Sequence, residues 1–191
     1  MDFLPIPRAD GLSDEAQAAK RQHLDAHGRP VTNTRATLLG HVPSFNAYME
    51  WYTLKDELVP VIGERGVSLL AYAISEENGS DPCSLFFRRV LVEAGQDPDG
   101  PVEGERDRLL LDFGRHIARN PLEVPDEIYG RLAAQFSPPE RVLLVAFSGL
   151  MVATNVFNTV GRVPIDEDLY PYRRATSEPE VEMDALSSGA E

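Results

Sequence analysis

Residues 63–95 read GERGVSLLAYAISEENGSDPCSLFFRRVLVEAG, and they decide the fold class. Val67, Leu69, Leu70, Tyr72, Ala73 and Ile74 cover more than one helical face, which predicts a deeply buried helix over 64–78. Asn78-Gly79 ends it. A second helix begins at Ser80-Asp81-Pro82-Cys83 and continues to about Ala94. With Asp81 as N-cap, Pro82 takes the first helical position and Cys83 the second. Free backbone N–H groups there favour a thiolate, while the Asp81 carboxylate opposes it. Phe87 follows on the same face as Cys83, with Val90 and Ala94 beyond it. A packed structural cysteine and a reactive or ligand-contacting thiol both fit this stripe.

Working outward, the apolar residues keep helical spacing. Upstream, Pro43 starts a helix whose apolar face includes Phe45, Tyr48, Tyr52, Leu58 and Ile62, with an irregular last turn at Pro60 and a break at Gly63. Asn33 caps a short helix from Thr34, and Ser13 precedes a helix ending near His27-Gly28. Downstream, a polar loop over 95–104 leads to helices near 105–119, 125–136 and 138–158. Ser137-Pro138-Pro139-Glu140 has the spacing of a capping box with proline in the first turn. No stretch combines period-two alternation with turn-bounded β-branched residues, so the fold class is all-α, a helical bundle. The chain divides into an N-terminal arm and helix (1–30), a helical domain (31–172) and an acidic C-terminal tail (173–191).

Composition narrows the function classes. Thirty-one acidic residues against 18 basic ones give a formal charge of -13, which repels nucleic acid and anionic membranes. The apolar run Val142–Ala153 is read as too short to span a bilayer. Cys83 is the only cysteine, so no intrachain disulfide forms. With no basic-then-apolar segment at Met1, a cytoplasmic location is expected.

The histidines form no metal-ligand pattern. His23 and His27 share helix spacing without neighbouring carboxylates in a ligand arrangement, and read as a solvated helix face. His41 suits a local cap and His116 a polar surface. Tyr48, Trp51 and Tyr52 fit core packing or an aromatic pocket. Asn155 and Asn158 lie in an apolar helix, where buried amides need partners in the protein or in a ligand. No cofactor is expected, since no glycine-rich phosphate loop is present.

Several fragments together resemble the family containing alkylhydroperoxidase D and carboxymuconolactone decarboxylase. They are Gly63–Ala73, Asn78–Cys83, Leu150–Asn158 and Gly161–Asp166, within a similar core running from about His41 to Tyr170. The resemblance implies an alkylhydroperoxidase D-like helical bundle, a homo-oligomer and a small-molecule pocket. Peroxidases of that family combine an upstream glutamate, Cys-x-x-Cys and a histidine four residues later; these positions fall near Ser68, on Ser80 and Cys83, and on Phe87. Only the attacking thiol survives. The implied protein therefore has a degenerate redox centre and is not a conventional two-cysteine peroxidase. Tyr48, Tyr52, Ser68, Ser80, Phe87, Asn155 and Asn158 are its candidate pocket residues around Cys83. Three other readings stay open: a cofactor-free lyase, decarboxylase or isomerase acting on a small cyclic carboxylated substrate; a non-catalytic ligand-binding or structural oligomer; and a one-cysteine peroxidase using Cys83 and an external thiol.

Overall fold

The computed structural model describes residues 3–174, so the acidic segment beyond Arg174 lies outside the described residues. Seven α-helices follow in order: α1 Asp14–His27, α2 Asn33–Leu38, α3 Val42–Glu77, α4 Asp81–Glu93, α5 Glu105–Arg119, α6 Asp126–Gln135 and α7 Pro138–Gly161. Short 3-10 turns occur at Ala9–Gly11, Pro121–Glu123 and Glu167–Tyr172, and no strand occurs among the described residues.

The long α3 is the axis of the bundle, with α4, α5 and α7 packed against it. The break expected at Gly63 is present as a kink. Gly63 leaves helical geometry at φ 76 and ψ 162, so α3 is two helical segments joined end to end there. Glycine tolerates that positive φ, and Pro60 has already removed one donor from the ladder. Beyond the bend every residue from Gly66 to Ser75 is buried. Leu70, Ala71 and Ile74 there join Leu109, Leu110, Phe147 and Leu144 in one core. Helix α5 approaches closely at Gly114, where an added Cβ would lie 3.1 Å from the Leu70 carbonyl oxygen and 3.1 Å from the Ala73 Cβ.

Polar side chains tie the same helices together. Ser75 donates to the Ala71 carbonyl at 2.8 Å and to Asn155 Oδ1 at 3.3 Å. Asn155 Nδ2 donates to Asn78 Oδ1 at 3.4 Å, and Asn78 Nδ2 donates to the Ala118 carbonyl at 3.0 Å. The chain of amides thus links α3, α7 and α5. At the start of α7 Ser137 and Glu140 form the expected capping box.

Two sequence readings are corrected. His23 is not on a solvated face. It is 4 % exposed, packed edge-on to Phe45 and beside Tyr52, because α1 docks that side onto α3. The apolar run at 142–153 belongs to a helix of 24 residues, and by length and composition both α3 and α7 are long and apolar enough to cross a membrane. In the fold 67 % of the α3 stretch is buried, against 33 % for α7.

Candidate functional site

Four segments converge at the N-terminal end of α4. Helix α2 supplies Arg35, the first half of α3 supplies Tyr48, Trp51 and Tyr52, α4 supplies Cys83 and Phe87, and α7 supplies Met151 and Thr154. The strand-like stretch after α7 is pinned beside them. Asp166 Oδ1 accepts the Asn33 N–H at 2.7 Å, and Asn33 Nδ2 donates to the Pro164 and Ile165 carbonyls at 3.2 Å each. The result is a chamber of about 80 Å³. It adjoins a larger cavity of about 1010 Å³, and Arg35, Asp166, Thr32 and the aromatic rings of Trp51, Tyr52, Phe86 and Phe87 belong to both walls.

Ser80, rather than Asp81, is the N-cap of α4, which puts Cys83 at the third helical position. Its N–H already donates to the Ser80 carbonyl at 3.1 Å. Asn158 Nδ2 donates to the Cys83 Sγ at 3.1 Å from behind the chamber. Burial nonetheless dominates and pushes the thiol up to about 11, against the opposing pull of Ser80, Asn158 and Arg35; the carboxylate that works against the thiolate is Asp166. Cys83 is therefore a neutral S–H at physiological pH. The Ser80 Oγ and Asn158 Oδ1 beside it are buried without a hydrogen-bond partner.

Arg35 is the feature that sequence reading missed. The guanidinium lies 5.1 Å over the Tyr52 ring, on which His27 also stacks at 3.7 Å between centroids. Arg35 is half-buried and makes no side-chain hydrogen bond or ion pair among the described residues. Desolvation lowers its pKa, while Tyr52, Cys83 and Asp166 raise it. Burial in turn raises the pKa of Asp166. No local motif marks Arg35, because its neighbours in space come from residues far along the chain.

The other candidates separate. Tyr48, Tyr52 and Phe87 line the chamber, and Ser68 lines the larger cavity. Ser80 and Asn158 stand behind the thiol, and Asn155 belongs to the amide chain linking the helices. Phe87, at the position where the resemblance implies a histidine, is 6 % exposed and packs 6.3 Å from Trp51. Glu64 is largely exposed, pairs with Lys55 at 3.2 Å, and lines the larger cavity with Ser68 rather than the chamber at the thiol. Glu76 and Glu77, at the end of α3, pair with Arg174 and Arg119 at 2.9 and 2.7 Å. His41 bonds Ser44 at 2.7 Å, a local role. Among the described residues no group of three or more His, Cys, Asp or Glu is placed to hold a metal ion.

Solved structures share this arrangement of helices. A cysteine-to-alanine variant of the debrominase Bmp8, in complex with 2,3,4-tribromopyrrole, matches at TM-score 0.73 and 15 % identity, over 90 % of this chain and 95 % of that one. An uncharacterized peroxidase-related protein from Silicibacter sp. TM1040 matches at TM-score 0.67 and 19 % identity, over 89 % and 94 % of the two chains. An alkylhydroperoxidase AhpD core, a peroxidase-related protein from Ralstonia eutropha JMP134, matches at TM-score 0.62 and 15 % identity, over 87 % and 93 %. This chain has the alkylhydroperoxidase D-like fold. No protein-family model matches the sequence, and no curated protein does. Within the alkylhydroperoxidase D-like bundle the whole chain carries a single cysteine, so two-thiol chemistry within one subunit is absent.

Proposed function

We propose that this protein binds a small aromatic or cyclic anion in the chamber beside Cys83. One observation carries the reading: an unpaired guanidinium, Arg35, faces a chamber whose walls are otherwise mostly apolar, with Trp51, Phe86, Phe87 and Met151 among them. A planar ring fits between the aromatic walls, and a negative charge on that ring gives Arg35 the partner it lacks. The tribromopyrrole complex of the similarly folded debrominase supports a flat, ring-shaped ligand.

A neutral thiol is a weak nucleophile toward peroxide, and Asp166, the carboxylate that acts on Cys83, works against the thiolate. That opposes the one-cysteine peroxidase. A neutral S–H can instead donate a proton, which favours a cofactor-free lyase, decarboxylase or isomerase as the second reading, acting on a bound carboxylated ring. The proposal also takes the protein to be a homo-oligomer.

Trp51 is the sole tryptophan and lines the chamber, so its fluorescence reports occupancy. Titration with benzoate should change the emission saturably, and benzamide, of similar shape but neutral, should bind at least tenfold more weakly. Brominated pyrrole should quench the same emission. Arg35→Met should erase the preference for benzoate while leaving benzamide binding in place. Equal affinity for the two probes in the wild-type protein would remove the anion from the proposal, and no response to any of them would remove the pocket.

A further inference from the structure

Two opposite charges face the chamber without meeting. Arg35 and Asp166 both line it, yet among the described residues they form neither a hydrogen bond nor an ion pair with each other. Elsewhere in the wall of the larger cavity, Lys55 pairs with Glu64 at 3.2 Å and Arg89 pairs with Asp168. Burial lowers the Arg35 pKa and raises that of Asp166, and the attraction between the two offsets only part of it. Each charge is therefore costly where it stands.

Helix α2 holds the two apart. Its first residue, Asn33, donates its backbone N–H to Asp166 Oδ1 at 2.7 Å and its side-chain amide to the Pro164 and Ile165 carbonyls, which fixes the loop after α7. Two residues on, Arg35 is turned onto the Tyr52 ring, 5.1 Å from its centroid. Asp166 Oδ1 is thereby occupied, and Oδ2 has no hydrogen-bond partner among the described residues. The chamber thus presents a free donor group and a free acceptor oxygen. A bare anion answers Arg35 but is repelled by the Asp166 carboxylate, and a bare cation answers Asp166 but is repelled by Arg35. A ligand with a hydrogen-bond donor beside its anionic group answers both.

We infer that the chamber selects a flat ring carrying an N–H on the atom next to its anionic group, with the anion on Arg35 and the N–H on Asp166 Oδ2. The inference rests on the anion binding proposed above and adds Asp166 as the residue that sets specificity. On such a ring the donor and the anion point to the same edge, as the two protein groups require. The aromatic walls, Trp51 and Phe87 among them, accept any flat ring and make no such choice. Asp166 rejects as well as attracts. A ring with an oxygen in place of the N–H sets a lone pair against the carboxylate and leaves Oδ2 unsatisfied away from water.

The test compares pyrrole-2-carboxylate with furan-2-carboxylate, which differ only in a ring N–H against a ring oxygen. Isothermal titration calorimetry on the full chain measures both, with benzoate as the reference anion. The pyrrole acid should bind the wild-type protein about tenfold or more tightly than the furan acid, a comparison that needs no variant. Asp166→Asn keeps an Oδ1 for the Asn33 N–H and sets an amide donor in place of Oδ2. It should cancel or invert the ratio, weakening the pyrrole acid and strengthening the furan acid. Arg35→Met should weaken both acids alike. Equal affinity of the two acids for the wild-type protein would overturn the role of Asp166 and leave the anion site standing. So would benzoate binding without either acid, or a parallel loss of both acids in Asp166→Asn. Failure of all three anions to bind would remove the anion site itself, and this inference with it.

Discussion

The state of Cys83 is the point on which any chemistry in the chamber turns, and alkylation measures it directly. Desolvation lifts the thiol from 9.0 to about 11, so at any pH below 9 the native protein should hold roughly 100-fold less thiolate than an ordinary cysteine. The native protein and the chain unfolded in urea are treated with iodoacetamide from pH 7 to 11.5, and adduct formation is followed by mass spectrometry. Restricted access lowers the native rate equally at every pH, whereas the protonation effect moves the midpoint, so the midpoint is the readout. The unfolded chain should rise with a midpoint near 9 and the native protein near 11. Three variants shift it with known sign. Arg35→Met and Asn158→Leu each remove a group that favours the thiolate and should move the midpoint up, while Asp166→Asn removes an opposing charge and should move it down. A native midpoint at or below 9 would refute the claim that burial dominates, and would restore a nucleophilic thiol to the site.

Three further outcomes follow from the packing. His23 is 4 % exposed with both ring nitrogens unpartnered, and its pKa falls from 6.5 to about 4, chiefly through burial. Below pH 6.5 the unfolded chain takes a proton that the fold refuses, so stability should decline by up to about 3 kcal/mol as pH falls from 6.5 to about 4. Urea denaturation of His23→Leu should show a flatter profile over that window, and parallel profiles would contradict the assignment. Gly114→Ala sets a Cβ 3.1 Å from a backbone carbonyl that cannot swing aside, and should cost about 1–3 kcal/mol in the same assay. Asn155→Ala leaves the Asn78 Oδ1 without its amide donor in a buried chain and should cost about 1–3 kcal/mol, with little change in benzoate affinity.

How far the sequence reached depended on the distance between the interacting residues. The capping box at Ser137 and the buried face of residues 67–74 are local patterns, and both elements formed as read. Gly63 announced a break, and two helical segments do meet at its positive φ. His23 was misread because helical spacing gives the angle between two side chains and not which side docks. The face carrying His23 met Phe45 and Tyr52. The cap of α4 differed by one residue, which moved Cys83 from the second to the third position, and the carboxylate that acts on the thiol is the distant Asp166. Arg35, Asp166 and Asn158 reach the thiol from α2, the loop after α7 and α7 itself, and no window of sequence contains them together. The all-α class was legible because it is a sum of local signals, whereas the chamber is a sum of distant ones.

The positions where the resemblance implies redox groups change in one physical direction. A phenyl ring stands where an imidazole is implied, and Phe87 closes the chamber against Trp51 instead of carrying a proton. A hydroxyl stands where a resolving thiol is implied, and Ser80 leaves its oxygen buried without a partner. A second hydroxyl, Ser68, stands near the implied glutamate, and the nearest carboxylate along the chain, Glu64, is largely exposed and lines the larger cavity. Each change removes a titratable group from the neighbourhood of Cys83, and together they leave burial as the largest influence on it. A site that served thiolate chemistry would lower that pKa, as reactive cysteines require. Here the charged residues of the chamber, Arg35 and Asp166, lie at the wall shared with the larger cavity. A neutral sulfur beside an unpaired cation suits the proposed recognition of ligand charge and shape better than it suits thiolate chemistry.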